Sequence, residues 1–153
     1  MYLIVHEIGH FLFYISVILS ILILFRKTGK ILFSPKYLII SLIATLLIDL
    51  DHFIDYFKYY GLLFNFEDFA LGTHFAQSGK VYVFLHSWEL LLLLLIIGFY
   101  LIKKKNNYLL MIITLGMLSH VFYDTAYYGF SIEAYSLIYR AAGNFDIAIF
   151  RGF

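Results

Sequence analysis

Residues 108–128, YLLMIITLGMLSHVFYDTAYY, combine the apolar character of a membrane-spanning helix with a histidine and an aspartate near one end. A helix needs about 20 predominantly apolar residues to cross the ~30 Å hydrocarbon layer of a bilayer. His120 and Asp124 are four positions apart, so on a helix they share one face. The stretch therefore predicts a transmembrane helix that carries polar side chains close to one membrane surface.

Three further stretches of similar length and apolar character lie at residues 6–25, 37–56 and 84–102. The chain has 153 residues, 63% of them hydrophobic and 14% charged, and a mean hydropathy of +0.88. These values lie outside the range of soluble globular proteins. The first stretch has no basic segment before it and no small-residue cleavage site, so it does not resemble a cleaved signal peptide. We predict an all-α membrane protein with a bundle of four transmembrane helices.

The basic residues predict how this bundle is oriented. They concentrate in the two short connections between the predicted helices: Arg26, Lys27, Lys30, Lys36, Lys103, Lys104 and Lys105. The positive-inside rule places both connections in the cytoplasm. The chain is therefore expected to cross a plasma or inner membrane several times, with both termini and the 58–83 loop outside.

The two outer segments are aromatic and apolar rather than hydrophilic. We predict a short helix lying in the membrane interface within the 58–83 loop, and another in the C-terminal tail. In the tail, Ser131 is expected to cap a helix that Gly143 ends. Residues 1–128 are then a transmembrane domain that contains the candidate site, and residues 129–153 form an interfacial tail.

Histidines and carboxylates occur in every predicted span, always toward the outward end. Ionisable groups inside a membrane are costly, and they usually mark a functional site that faces the bundle interior. The four spans should therefore bring these groups together at one depth. The candidate metal ligands are His10, Asp49, Asp51, His52, His86, Glu89, His120 and Asp124. His6 could be an extra ligand or a merely hydrogen-bonded group, whereas His74 in the outer loop is more simply a structural residue.

The chain has no cysteine, so any metal ligands would be nitrogen and oxygen atoms. Zinc suits such a set best, and manganese or iron would also fit. One tetrahedral zinc uses about four ligands. Eight candidates therefore indicate two ions, or one ion whose ligands are themselves hydrogen-bonded. Glu89 or Asp51 could serve as the general base for a metal-bound water.

The same residues carry a resemblance to a known family. The stretches are IGHFLFY with His10, LIDLDH with Asp49, Asp51 and His52, LHSWE with His86, and GMLSHVFYD with His120 and Asp124. In this order they resemble the motifs of the bacterial and archaeal membrane-bound metal-dependent hydrolases, which include a LexA-regulated inner-membrane protein. The resemblance covers residues 1 to about 128. A second histidine that the family often has before the third motif is missing, and Glu89 could take its role.

The resemblance implies a hydrolase that uses a metal-bound hydroxide to attack a phosphoester. The last motif is also similar in outline to the zinc-dependent phospholipase C and nuclease superfamily. An outward-facing site in a membrane would then act on lipid head groups or a lipid-linked phosphoester, with membrane lipids as partners. The net charge of +1 provides no bulk attraction for nucleic acid.

Two other functions remain open at this stage. Residues 6–10, HEIGH, match the H-E-x-x-H pattern of zinc proteases. An intramembrane protease of that kind also needs a third ligand from an L-D-G motif, which the chain lacks. The protein could instead be a non-enzymatic membrane scaffold or subunit with a structural metal site. An ion conductor is disfavoured because the cytoplasmic halves of the first and third spans are almost purely apolar.

Overall fold

The computed structural model describes residues 2–24 and 34–150. Regular structure in these ranges is helical, and the described residues contain no strand beyond a single β-bridge between Lys80 and Asp146. The prediction of an all-α fold is confirmed. Arg26, Lys27 and Lys30 of the first connection, and Arg151, lie outside the described residues, so the orientation stays a prediction.

Four helical runs correspond to the four predicted spans. The first is α1 (Tyr2–Leu24). The second is α2 (Pro35–Leu47), which continues through a 3₁₀ turn (Ile48–Asp51) into α3 (His52–Tyr60). Two short helices follow, α4 (Phe66–Ala70) and α5 (Thr73–Ser78), and then α6 (Trp88–Lys105) and α7 (Leu109–Tyr128). The tail contains α8 (Leu137–Ala142) between two 3₁₀ turns, Ile132–Tyr135 and Ile147–Phe150.

Two of these runs, Pro35–Tyr60 and Leu109–Tyr128, are long and apolar enough to cross a membrane. In α1, a shorter apolar section spans Val5–Ser20. The 18 residues of α6 include Glu89 and the three lysines 103–105, so this helix carries more charge than a typical span. Length and composition thus indicate two membrane-spanning helices within the described residues.

Helix α7 lies at the centre of the fold and packs against α1, α2 and α6. Its contact with α2 is close because Gly116 has no side chain: a Cβ atom there would lie 2.2 Å from the carbonyl oxygen of Ser41. Small residues allow helix backbones to approach in this way. Thr45 of α2 also donates a hydrogen bond to the Gly116 carbonyl over 3.1 Å. This contact lies one turn before His120 and brings that residue against α2.

The 3₁₀ turn between α2 and α3 directs two aspartates into the protein. A 3₁₀ segment winds more tightly than an α-helix and often marks a functional position within a longer helix. Asp51 is buried, whereas Leu50 between the two aspartates is 51% exposed. The sequence predicted one uninterrupted helix here, so the turn is a feature that only the structure reveals.

The outer segments are helical, as predicted, but are more broken than expected. The 58–83 loop contains two short helices rather than one, and Asn65 caps the first through its side-chain oxygen. In the tail, Ser131 makes no side-chain cap, and Ser136 caps α8 instead. Gly143 ends α8, as the sequence predicted.

Candidate metal centre

Seven of the eight predicted ligands lie together, and His6 joins them. They form three overlapping groups whose ligand atoms lie within 4.8 Å of one another. The groups are His6, His10, His120 and Asp124; Asp49, His86 and His120; and Asp51, His52 and His86. These buried histidines and aspartates could hold a metal ion. Four separate parts of the chain supply them, so the convergence is a property of the tertiary structure.

The first group is built on one turn of α1. The Nε2 atoms of His6 and His10 are 2.9 Å apart. The Oδ1 atom of Asp124 lies 3.2 Å from His10 Nε2 and 3.6 Å from His6 Nε2. Two ligands of a tetrahedral zinc, each about 2.1 Å from the ion, lie roughly 3.4 Å apart. These three atoms therefore have the spacing of one face of a tetrahedral site.

The second group has the same spacing. The Nε2 atoms of His86 and His120 are 3.2 Å apart, and Asp49 Oδ1 lies 3.1 Å and 3.3 Å from them. Asp124 also reaches this group, because its Oδ2 atom is 3.3 Å from His120 Nε2. One carboxylate thus turns Oδ1 toward the first group and Oδ2 toward the second. Asp124 therefore faces both groups.

The other ring nitrogens fix the orientation of His86 and His120. His120 Nδ1 lies 2.7 Å from the carbonyl oxygen of Thr45. Because a carbonyl can only accept, Nδ1 carries the proton and Nε2 of the neutral ring is a lone pair. His86 Nδ1 lies 3.1 Å from Asp51 Oδ2 in the same way. Metal-bound histidines usually donate their second N–H to such an oxygen.

Several carboxylate oxygens in the centre lack a hydrogen-bond partner among the described residues. They are both oxygens of Asp49, Oδ1 of Asp51 and Oδ1 of Asp124. Asp49 Oδ1 lies 3.1 Å from His86 Nε2, and Asp124 Oδ1 lies 3.2 Å from His10 Nε2. Buried charges of this kind need a proton or a cation to balance them. A divalent cation would satisfy these oxygens and the facing imidazole nitrogens together, so the donor set fits a metal. The geometry does not select among zinc, manganese and iron.

The third group differs from the other two because its residues are partly committed elsewhere. Asp51 Oδ2 already accepts hydrogen bonds from the Leu85 N–H and from His86. His52 Nε2 is 3.5 Å from Asp49 Oδ1 and 4.0 Å from Asp51 Oδ1, and its side chain is 28% exposed. We interpret Asp51 as the residue that orients His86, and His52 as a residue at the rim of the centre.

Glu89 is the one predicted ligand that the structure does not bring into the centre. Its carboxylate accepts hydrogen bonds from the N–H groups of Leu137 and Ile138, at 2.8 and 3.2 Å, and from the Ser136 hydroxyl. The sequence argument assumed that His86 and Glu89 lie on one helix. Helix α6 begins only at Trp88, so His86 precedes it and the expected helical pairing does not form. Glu89 instead binds the first turn of α8.

Sequence reasoning also missed contacts that support the centre. The Tyr128 hydroxyl lies 3.1 Å from His6 Nδ1. The signal was available, because Tyr128 lies four positions after Asp124 on the same helix. Thr45 gave no such signal, since its contribution is a backbone carbonyl.

A cavity of about 630 Å³ opens beside the centre. His6, His52, His86 and Asp124 form its polar part. The rest is mostly apolar and aromatic, with residues from the outer loop, the end of α7 and the tail, among them Phe69, Phe75, Val83, Phe130, Tyr135 and Phe150. No lysine or arginine lines the cavity among the described residues. The candidate ligands thus meet a space of the size that holds small organic ligands.

His74 lies outside the three groups. It is 1% exposed and packs against Tyr56, Phe69 and Phe75. Burial, together with the electrostatic effect of the neighbouring His52, lowers the pKa of His74 from 6.5 to about 4. The side chain is therefore neutral at physiological pH, which favours the structural role expected from the sequence.

Comparisons with known proteins give no match: no protein-family model, no curated protein and no solved structure matches this chain. The resemblance to membrane-bound metal-dependent hydrolases stays a prediction. Function has to be argued from the side chains of the centre and the cavity beside it.

Proposed function

We propose that the protein is a membrane-embedded, metal-dependent hydrolase that acts on a phosphoester with an apolar group attached. The observation that carries this proposal is the pair of facing Nε2 atoms of His86 and His120, next to the carboxylate oxygens of Asp49 and Asp124. These groups lie beside an apolar cavity that a substrate can enter. The resemblance of the four motifs to a hydrolase family supports the same function.

A membrane location with four spans is part of the proposal. Apolar side chains on the outer surfaces of α1 and α6 are exposed, as on the two longer runs. Examples are Leu12 at 59% and Leu19 at 53% in α1, and Leu92 at 58% and Ile96 at 58% in α6. Large exposed apolar surfaces on a single chain indicate contact with a partner or a membrane. Lipid around all four helices would cover them.

Two metal ions, with zinc as the first choice, account for the centre best. His6, His10 and Asp124 would hold one ion, and Asp49, His86 and His120 would hold the other. Asp124 would contact both, since its two oxygens face different groups. Asp51 would not be a ligand, because it orients His86 through Nδ1.

The chemistry follows from these positions. Bound divalent ions would polarise a phosphoryl oxygen and lower the pKa of a water molecule. Asp49 Oδ1 faces the Nε2 atoms of His86 and His120, whereas its buried Oδ2 has no hydrogen-bond partner among the described residues. Asp49 Oδ2 can therefore accept the proton of an attacking water. His52 faces the cavity from the rim and can donate a proton to the leaving oxygen. The aromatic walls exclude bulk water from the reacting groups.

The walls also indicate the kind of substrate. Without lysine or arginine in the described lining, the metal ions would have to neutralise the phosphate. The apolar remainder of the cavity would accommodate the hydrocarbon part of a lipid head-group region or a lipid-linked phosphoester. A fully hydrophilic phosphate ester would leave these walls uncovered.

The test measures metal content and phosphate-ester hydrolysis on the purified full-length protein in detergent. We expect about one to two equivalents of transition metal and release of product from lipid phosphate substrates. Asp124→Asn should lose both the bound metal and the phosphate-ester hydrolysis. Asp68→Asn, which alters an aspartate outside the centre, serves as the matched control and should retain both. Metal at full occupancy without hydrolysis of any lipid phosphate would support the structural-scaffold alternative instead.

One observation favours a second candidate, an H-E-x-x-H peptidase. His6 and His10 do form a triad with a carboxylate, and Asp124 provides the third ligand that the missing L-D-G motif was expected to supply. Glu7 lies on the same helix, α1, directly after His6. The hydrolase proposal remains stronger because a peptidase site would leave Asp49 and His86 without a role.

A further inference from the structure

His86 lies on a segment that is held from one side by two aspartates. Asp55 accepts hydrogen bonds from the Tyr82 N–H at 3.0 Å and the Val83 N–H at 2.9 Å. Asp51 accepts one from the Leu85 N–H at 2.7 Å. Both carboxylates come from the 3₁₀ turn and α3, so this side of the segment is fixed by the second helical run.

The opposite side of the same segment is held by the C-terminal tail. Val81 donates its N–H to the Phe145 carbonyl at 2.9 Å, and Ile147 donates to the Gly79 carbonyl at 3.0 Å. The Lys80 ammonium donates to the Asn144 carbonyl at 2.7 Å. Glu89, just beyond the segment, binds the start of α8. The tail is thus attached on both sides of His86 along the chain.

Arg140 of the tail reaches the backbone of His86 itself. It is 0% exposed, and its Nη2 atom donates to the carbonyl oxygens of Val83 at 3.2 Å and His86 at 3.3 Å. Its Nε and Nη1 atoms have no hydrogen-bond partner among the described residues. Burial lowers the pKa of Arg140, and the nearby Asp51 carboxylate opposes that shift. Arginine stays charged under such conditions. The Arg140 guanidinium, a strong hydrogen-bond donor, therefore binds two backbone carbonyls.

The backbone between those carbonyls is strained. Val83 has a φ of +28°, which is a marked outlier for a β-branched residue. Its N–H is held by Asp55 and its carbonyl by Arg140, and the same carbonyl accepts the His86 N–H at 3.1 Å. Strained backbone of this kind persists only when its surroundings enforce it. Without Arg140, Val83 can relax to negative φ, and the direction of His86 would change.

We propose that Arg140 is a positioning residue of the metal centre, and that through it the C-terminal tail sets the direction of His86. Arg140 contacts none of the candidate ligand atoms and does not itself line the cavity, although it binds the backbone of two residues that do, Val83 and His86. It acts by fixing the turn from Val83 to His86, so that Nε2 faces His120. The proposal rests on the metal centre proposed above, but its backbone part can be tested in metal-free protein.

The experiment compares Arg140→Met with Lys80→Met in the full-length purified protein. Each change removes a cationic donor to a backbone carbonyl across the same contact between tail and segment, but only Arg140 reaches His86. We expect Arg140→Met to weaken zinc binding about tenfold or more and to alter the visible spectrum of the cobalt(II)-substituted protein. Lys80→Met should leave zinc affinity within about twofold and the cobalt spectrum unchanged.

Hydrogen exchange on metal-free protein gives a second readout. Arg140→Met should speed amide exchange at residues 82–87 while leaving α7 protected. If Arg140→Met has the same zinc affinity, cobalt(II) spectrum and amide exchange rates as the wild type, the proposal is overturned. If this variant does not fold, Arg140→Lys decides by the same criteria, because it keeps the charge but not the geometry of the guanidinium. If the wild type binds no metal, the proposed function fails, and the exchange result alone supports or overturns the positioning role.

Discussion

His86 and His120 present their Nε2 atoms to each other at 3.2 Å, although 34 positions separate the two residues in the chain. Each ring is held in this direction by its Nδ1 atom, His86 on Asp51 and His120 on the Thr45 carbonyl. In neutral rings both Nε2 atoms would carry lone pairs, and a proton or a metal ion between them would relieve their repulsion. The pair is therefore a clear structural indication that the centre could hold a metal ion.

Removal of a central ligand should strip the metal without unfolding the protein. We expect His120→Ala and Asp124→Ala each to reduce bound transition metal by about tenfold or more, while the protein still inserts into membranes. Elemental analysis of the purified variants measures this, and His74→Ala provides a control histidine outside the centre. Full metal content in the first two variants would show that the ligands have been assigned wrongly.

Asp51 should affect the centre through His86 rather than by binding an ion. Asp51→Asn keeps the size of the side chain but weakens the acceptor for His86 Nδ1. We predict that zinc affinity falls between about 10- and 100-fold, the range found for residues that orient a metal ligand. Titration against a zinc-selective chelator provides the measurement. Complete loss of one of two ions would instead make Asp51 a direct ligand.

A substitution at Glu7 distinguishes the proposed hydrolase function from the peptidase alternative. In an H-E-x-x-H peptidase the glutamate is the general base, so Glu7→Gln should abolish peptide cleavage. In the proposed hydrolase, Glu7 has no essential proton to transfer, and the same variant should keep most of its phosphoesterase activity. Both activities are measured on the same preparation. Phosphoesterase activity lost together with metal would assign Glu7 to the metal centre.

The close contact of α2 and α7 should depend on Gly116. Gly116→Ala places a Cβ against the Ser41 carbonyl, and overpacking of this kind costs about 2 kcal/mol. We expect a lower thermal unfolding temperature in detergent and less bound metal, because His120 lies one turn away. Leu115→Ala, at an exposed position of the same helix, is the control. Unchanged stability in Gly116→Ala would show that the two helices pack less closely.

His74 should make the fold sensitive to acid. The pKa of His74 is about 4 in the folded protein, below its ordinary value of 6.5, so protonation favours the unfolded state. Its stabilising effect is present above pH 6.5 and is lost as the pH falls toward 4. Each pKa unit corresponds to about 1.4 kcal/mol, so the full loss amounts to roughly 3 kcal/mol.

The variant His74→Phe isolates this contribution. Phenylalanine suits the surrounding aromatic side chains and cannot be protonated. Its unfolding temperature should therefore change less than that of the wild type between pH 6.5 and pH 4. Parallel pH profiles for the two proteins would assign the acid sensitivity to another group.

The helical class and most residues of the candidate metal centre could be predicted because each depends on local pattern. Apolar runs of about 20 residues predict helices, and the spacing of His6 with His10 and of His120 with Asp124 places each pair on one helix face. Glu89 could not be assigned in the same way. The predicted span 84–102 places His86 and Glu89 on one helix, whereas α6 begins at Trp88, two residues after His86. The 3₁₀ turn at residues 48–51 also has no clear signal in the sequence.

By itself, the sequence determined an all-α chain whose ionisable groups lie toward corresponding ends of its apolar helices. This follows from helical periodicity and from the high cost of charge in an apolar medium, both of which are properties of short stretches. Only the tertiary structure decided which nitrogen of each histidine faces the centre, that Asp124 reaches two groups, and that Arg140 lies behind His86. Those features depend on contacts between segments far apart in the chain, and residue spacing carries no information about them.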